Sequence, residues 1–197
     1  NSTPAKRALY GMIQASTYDN EANLPDDYIS SLYESYPPQL ISAYLRGQFV
    51  NLTSGAVYPD FDRKLNHTDE EIRPGEPLII GMDFNVLKMA AVVYVIREGR
   101  PLALDEMVGV RDTPTMATLL NERFPLHDMT VIPDAAGQAK SSKNSSESDH
   151  QILRDKGFRV EVSGTNPAIK DRINSVNALI LNGDGERTLL VNTNKCP

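Results

Sequence analysis

The chain has 197 residues, a net charge of −6, 40% hydrophobic residues and one cysteine. That length suits one domain with an appendage and a real core, and no apolar run approaches membrane-spanning length. A single thiol excludes an internal disulfide and a multi-thiolate zinc site and fits a reducing cytosol, while the acidity argues against a passive nucleic-acid coat. The acidity does not exclude a nuclease, which gathers acids at its metal site and needs few cations around its substrate path. No secretory leader is visible, and the ends at Asn1 and Cys196-Pro197 suggest a segment of a longer polypeptide.

Residues 1–75 carry most of the tyrosines and many polar turns. A helix is expected from Pro25 or Asp26 to about Tyr36, with acids at its favourable end. A second should run from Pro38 to Leu45, stopped by Gly47. Extended pieces are expected at 48–52 and 56–61, and the acidic stretch His67–Pro77 reads as a linker.

From Leu78 the pattern tightens. Leu78–Asp83 is a continuous apolar run, as in a central strand covered on both faces. Met89–Arg97 and Pro101–Val110 are rich in β-formers, joined by the hairpin signal Glu98-Gly99-Arg100. Thr113-Pro114 opens a helix to about Arg123, and Met129–Pro133 is a short strand. A polar loop, Gly137–Ser146, leads to a helix ending at Lys156. Phe158–Val162 should be a strand, Pro167–Leu181 a helix of suitable periodicity, and Thr188–Asn192 a last strand. Three meandering strands followed by strand–helix alternation predict an α/β, ribonuclease H-like mixed sheet: an antiparallel meander plus parallel strands, flanked by helices.

In that sheet the first and fourth strands are neighbours and end on the same side. Asp83 closes the first and Asp134 follows the fourth. A carboxylate held rigidly at a sheet edge is costly when unpaired, and divalent metal relieves that cost. Two carboxylates facing each other suit Mg²⁺ or Mn²⁺, with two ions activating water and stabilising a leaving oxygen. The alternative is that each Asp only forms a turn or caps a helix, for which Pro133-Asp134-Ala135-Ala136-Gly137 is well suited.

Gly81-Met82-Asp83-Phe84-Asn85, the run Val131–Gly137 and the run Lys170–Ala178 together resemble the C-terminal nuclease domain of tailed-bacteriophage large terminase subunits. The runs Ala15–Asn20 and Tyr44–Val50 resemble the segment joining that family's packaging ATPase to its nuclease. The resemblance implies a connector over 1–75 and a nuclease domain over 76–197, its C-terminal helix missing. It implies an endonuclease that cuts concatemeric double-stranded DNA, with Asp83 and Asp134 as metal ligands. It also implies, for the full-length protein, portal and small-subunit partners and a place in the host cytoplasm at the procapsid. The family's third acid usually sits on a later helix, so here it is either Asp171 or a residue beyond Pro197. Asp171 has its own structural explanation, since a carboxylate in the first turn of a helix is favoured by the dipole.

Candidate DNA contacts are Lys88, just past the first Asp, Lys140 and Lys143 in the polar loop, and Lys170 and Arg172 beside Asp171. His150 reads as a surface residue, and His67 and His127 as incidental. Other readings are a non-catalytic docking module of the packaging motor, or a resolvase- or integrase-type nuclease, against which the Tyr-rich N-terminal segment argues. An actin-like ATPase lobe would follow its first Asp with a Gly/Thr-rich phosphate loop, whereas Asp83 is followed by Phe-Asn-Val-Leu. No Walker A sequence occurs.

Overall fold

The computed structural model describes residues 13–48, 56–85, 87–133, 149–162 and 167–197. In chain order its elements are a 3-10 turn at Thr17–Asn23, helices α1 (Tyr28–Ser35) and α2 (Pro38–Tyr44), and strands β1 (Leu78–Asp83), β2 (Met89–Arg97) and β3 (Arg100–Val110). There follow α3 (Thr113–Arg123), β4 (Met129–Pro133), α4 (Asp149–Asp155), β5 (Arg159–Val160), α5 (Ile169–Ile180) and β6 (Leu190–Val191). Two compact units result, Asn1–Asp60 with Arg172–Glu186, and Phe61–Asp171 with Arg187–Pro197. Among the described residues no helix is long and apolar enough to cross a membrane.

The second unit is built on a six-stranded sheet of order β5-β4-β1-β2-β3-β6. β1, β2 and β3 form the expected antiparallel meander, and β4 lies parallel against β1. The hairpin turns at Glu98 (φ 53°) and Gly99 (φ 75°). Both residues are left-handed, the turn whose twist matches the flanking strands.

β1 buries Leu78, Ile80 and Met82 on one face, while Ile79 and Gly81 on the other are only half-buried. The strand is therefore fully covered on one face, not two. α3 begins where the Asp112 carboxylate accepts the Thr115 N–H at 2.9 Å, a cap typically worth about 1 kcal/mol. Its Met116, Ala117 and Leu120 join Val93, Leu104 and Val131 in the core. Each buried Leu, Ile or Met stabilises the fold by roughly 1.5–3 kcal/mol.

The stretch 67–77 has the composition of a linker, yet it is held along the sheet. Thr68 N–H donates to the Val191 carbonyl at 3.0 Å and the Asn192 side-chain amide to that of Glu70 at 3.1 Å. Arg97 then forks onto Glu76 (2.8 and 2.7 Å) and donates to Glu70 and to the Glu71 carbonyl. With that guanidinium as main cause, Glu76 is held down at about 2, far below the usual carboxylate range.

In the first unit, Ser16 opens the 3-10 turn with a reciprocal cap to Asp19, and its hydroxyl donates to the Leu45 carbonyl at 2.7 Å. Gly47, past the end of α2, adopts φ 57°, and a side chain there would strike the Ala15 carbonyl, so this position requires glycine. Residues 56–61, expected to be extended, form bends and turns instead. Leu40, Ile41, Leu45 and Ile180 are buried.

Candidate functional site

The β1–β4 ladder is the frame of the site. The two strands pair in parallel from Leu78↔Met129 to Met82↔Pro133. The residue after Met82 is Asp83, last of β1, exposed and paired across to Ala90 of β2. The residue after Pro133 in sequence is Asp134, which lies outside the described residues, as do Lys140 and Lys143. Neighbouring strands lie about 4.8 Å apart, so the carboxyl ends of β1 and β4 form one edge, where open α/β sheets present their ligand sites.

No described residue forms a hydrogen bond or ion pair with the Asp83 carboxylate, although the antiparallel ladder pairs Asp83 with Ala90 of β2. The next residue, Phe84, turns inward against the core, its ring 5.5 Å from that of His150. His150 is only 2% exposed, so its placement on the surface is corrected. His150 and Leu153 stand three apart on the buried face of α4, a spacing visible in the sequence but masked by the polarity of histidine. α4 is anchored beside this edge by the Thr113 hydroxyl, which donates to Asp149 at 2.6 Å.

Lys88 sits exposed in the turn between β1 and β2, its N–H donating to the Asn85 carbonyl at 2.8 Å. Lys170, Asp171 and Arg172 are exposed in the first turn of α5. Among the described residues no three His, Cys, Asp or Glu side chains come together to hold a metal ion. Two other groups lie away from this edge. Asp105 is buried with one oxygen on Arg123 (2.9 Å) and the other without a partner among the described residues, and burial pushes its pKa up. The Cys196 thiol is pushed up to about 11 by burial, which makes it a poor nucleophile. His67 bridges Asp69 and Thr193, and His127 meets the Glu76 carbonyl; both serve local structure.

The model of the terminase RNaseH-like domain matches residues 80–196, more than half of the chain. The chain belongs to that family. Its fold is accordingly the ribonuclease H-like mixed sheet expected from the strand order. No curated protein matches this terminase domain. Among solved structures, the large terminase of a thermophilic bacteriophage is similar at a TM-score of 0.66 and 17% identity, covering 88% of this chain and 43% of that one. The nuclease domain of the P22 large terminase is similar at a TM-score of 0.52 and 14% identity, covering 73% of this chain and 75% of that one. This terminase domain thus spans under half the length of the thermophilic phage's protein. At these identities the two likenesses concern the fold.

Proposed function

We propose that this domain is a metal-dependent endonuclease that cuts concatemeric double-stranded DNA during phage genome packaging, with Asp83 and Asp134 as its metal ligands. The observation that carries the reading is the β1–β4 register. Its last described pair, Met82↔Pro133, immediately precedes the two aspartates in sequence. Family membership supplies the nuclease setting.

The donor set fits a divalent ion. Carboxylate oxygens are the hard donors that Mg²⁺ and Mn²⁺ prefer, and the Asp83 carboxylate is exposed with no described protein partner. Bound there, such ions would supply an activated water and charge stabilisation at a leaving oxygen. The chain's own part is to orient. β1 sets Asp83 opposite Ala90 in its ladder with β2, so the carboxylate starts from a fixed backbone and needs little reorganisation to receive a ligand. Lys88 is proposed to hold a phosphate beside it, and Lys140, Lys143, Lys170 and Arg172 to follow the DNA backbone. Asp171 is proposed as an accessory acid, the alternative third ligand being a residue beyond Pro197.

Residues 1–75 are read as the connector from a packaging ATPase domain, with 76–197 as the nuclease. The large terminase of the thermophilic phage has been solved in complex with ATP-gamma-S. Portal and small-subunit contacts, and a working place at the procapsid in the host cytoplasm, are proposed for the full-length protein. The test is plasmid cleavage with Mg²⁺ or Mn²⁺: cutting is expected, and Asp83→Ala or Asp134→Ala should abolish it. Cutting that persists in the double variant would overturn the assignment. DNA binding with no cutting under any divalent ion would favour the docking module.

A further inference from the structure

The turn between β1 and β2 contains a residue that neither packing nor backbone preference explains. Leu87 adopts φ 64°, in the left-handed region that side chains other than glycine avoid, and it is 65% exposed. A leucine gains nothing from such a place: it buries little surface and its backbone is strained. Strain of this kind persists where the surroundings hold it, and such residues cluster at functional sites. The bond that holds it is the Leu87 N–H donating to the Arg111 carbonyl at 3.2 Å.

Arg111 follows the last residue of β3, and its side chain is 74% exposed. Its Nε donates to Asp112 at 2.7 Å. The other oxygen of Asp112 caps α3 through Thr115, so this carboxylate is fixed and orients the guanidinium without covering it. Hydrogen bonding from Thr115 foremost, and the Arg111 guanidinium after it, hold Asp112 down at about 2. The ladder sets these groups on one sheet end: Asp83 pairs with Ala90, and Met89 pairs with Val110. Arg111 thus lies two strands from Asp83, about 10 Å at ordinary strand spacing, with Lys88 in the turn between β1 and β2. Ten ångströms is roughly three base-pair rises of a duplex.

From this we infer that Leu87 and Arg111 form a DNA-positioning ledge beside Asp83. Arg111 holds a backbone phosphate a few nucleotides from the one at Asp83, and Leu87 makes apolar contact with sugar edges in the minor groove. The inference rests on the nuclease reading for its substrate, double-stranded DNA. Minor-groove-binding proteins present apolar side chains, leucine included, to that groove, and phosphate contacts set register without reading sequence.

The test separates binding from cutting. Anisotropy of a fluorescein-labelled mixed-sequence duplex is measured in EDTA between about 50 and 200 mM salt, where each phosphate contact contributes about 0.9 to the slope of log affinity against log salt. Arg111→Gln should lower that slope by about one and Arg111→Lys should restore it. Leu87→Gly, which relieves the backbone, should melt no lower than the parent yet bind several-fold more weakly at an unchanged slope. An unchanged slope in Arg111→Gln, or parental binding by Leu87→Gly, would overturn the ledge. Either result leaves the nuclease reading standing if metal-dependent plasmid cutting is still lost in Asp83→Ala. A parent protein that neither binds duplex nor cuts it overturns both.

Discussion

Replacing Glu76 by glutamine isolates the strongest electrostatic contact described in the sheet unit. Both oxygens of Glu76 accept from Arg97, at 2.8 and 2.7 Å, and the two side chains are only 20% and 15% exposed. The carboxyl falls from its ordinary 4.5 to about 2. Because the folded-state value is depressed, the stabilisation is complete above the unfolded value and disappears as pH falls from about 4.5 towards 2. At about 1.4 kcal/mol per unit, that gap corresponds to roughly 3 kcal/mol at pH 7 and about 1.5 at pH 3. Glu76→Gln should therefore cost roughly 2–3 kcal/mol at pH 7 and about half of that at pH 3, on the scale of a partly buried Arg–carboxylate fork. The chain contains no tryptophan, so urea unfolding is best followed by far-UV circular dichroism at both pH values. A cost below about 0.5 kcal/mol at pH 7 would refute the reasoning, because it would place the pair with ordinary surface ion pairs. An equal cost at both pH values would refute it too, since the loss would then come from packing.

Three further outcomes are expected. Asp83→Ala should lower metal-dependent plasmid cleavage by at least about 100-fold while leaving the thermal midpoint within a degree or two, because Asp83 is exposed and has no described partner to strand. Gly183→Ala should destabilise the first unit by roughly 1–3 kcal/mol in thermal unfolding, since its methyl would sit 2.9 Å from the Tyr33 carbonyl and from Ile41 Cγ1; an unchanged midpoint would show that this approach relaxes freely. Asp105→Asn should gain stability relative to the parent as pH rises from about 4 to 8. Burial raises the Asp105 pKa, so the stability it contributes is present at low pH and lost as pH climbs through that value; a difference moving the opposite way would contradict this.

The features legible in the sequence are those set by neighbours along the chain. The Glu98-Gly99 turn is one, because two left-handed residues between apolar runs specify a tight hairpin. The start of α3 is another, with Asp112 capping and Pro114 in the first turn. The pairing of β1 with β4 is readable at one remove, from the order of strands and helices. The burial of His150 is not legible, because a polar residue in a polar-looking helix gives no sign that its face is covered. Nor is the 3-10 turn at Thr17–Asn23. Its cap is local, but its hydroxyl and N–H bonds reach Tyr44 and Leu45.

By itself the sequence determined the period and order of the elements, the family, and Asp83 as the acid that ends β1. Local propensity and hydrophobic alternation act over a few residues, and these features need nothing more. Tertiary structure decided what depends on surfaces meeting across long loops. It made the stretch 67–77 a strap held by Arg97, Val191 and Asn192, where composition suggested a linker. It also buried His150 against Phe84 beside the candidate site, and set Arg111 under the strained Leu87. Each of these joins residues far apart in the chain, whose meeting is selected by the burial and hydrogen bonding of the whole unit and leaves no period in the sequence.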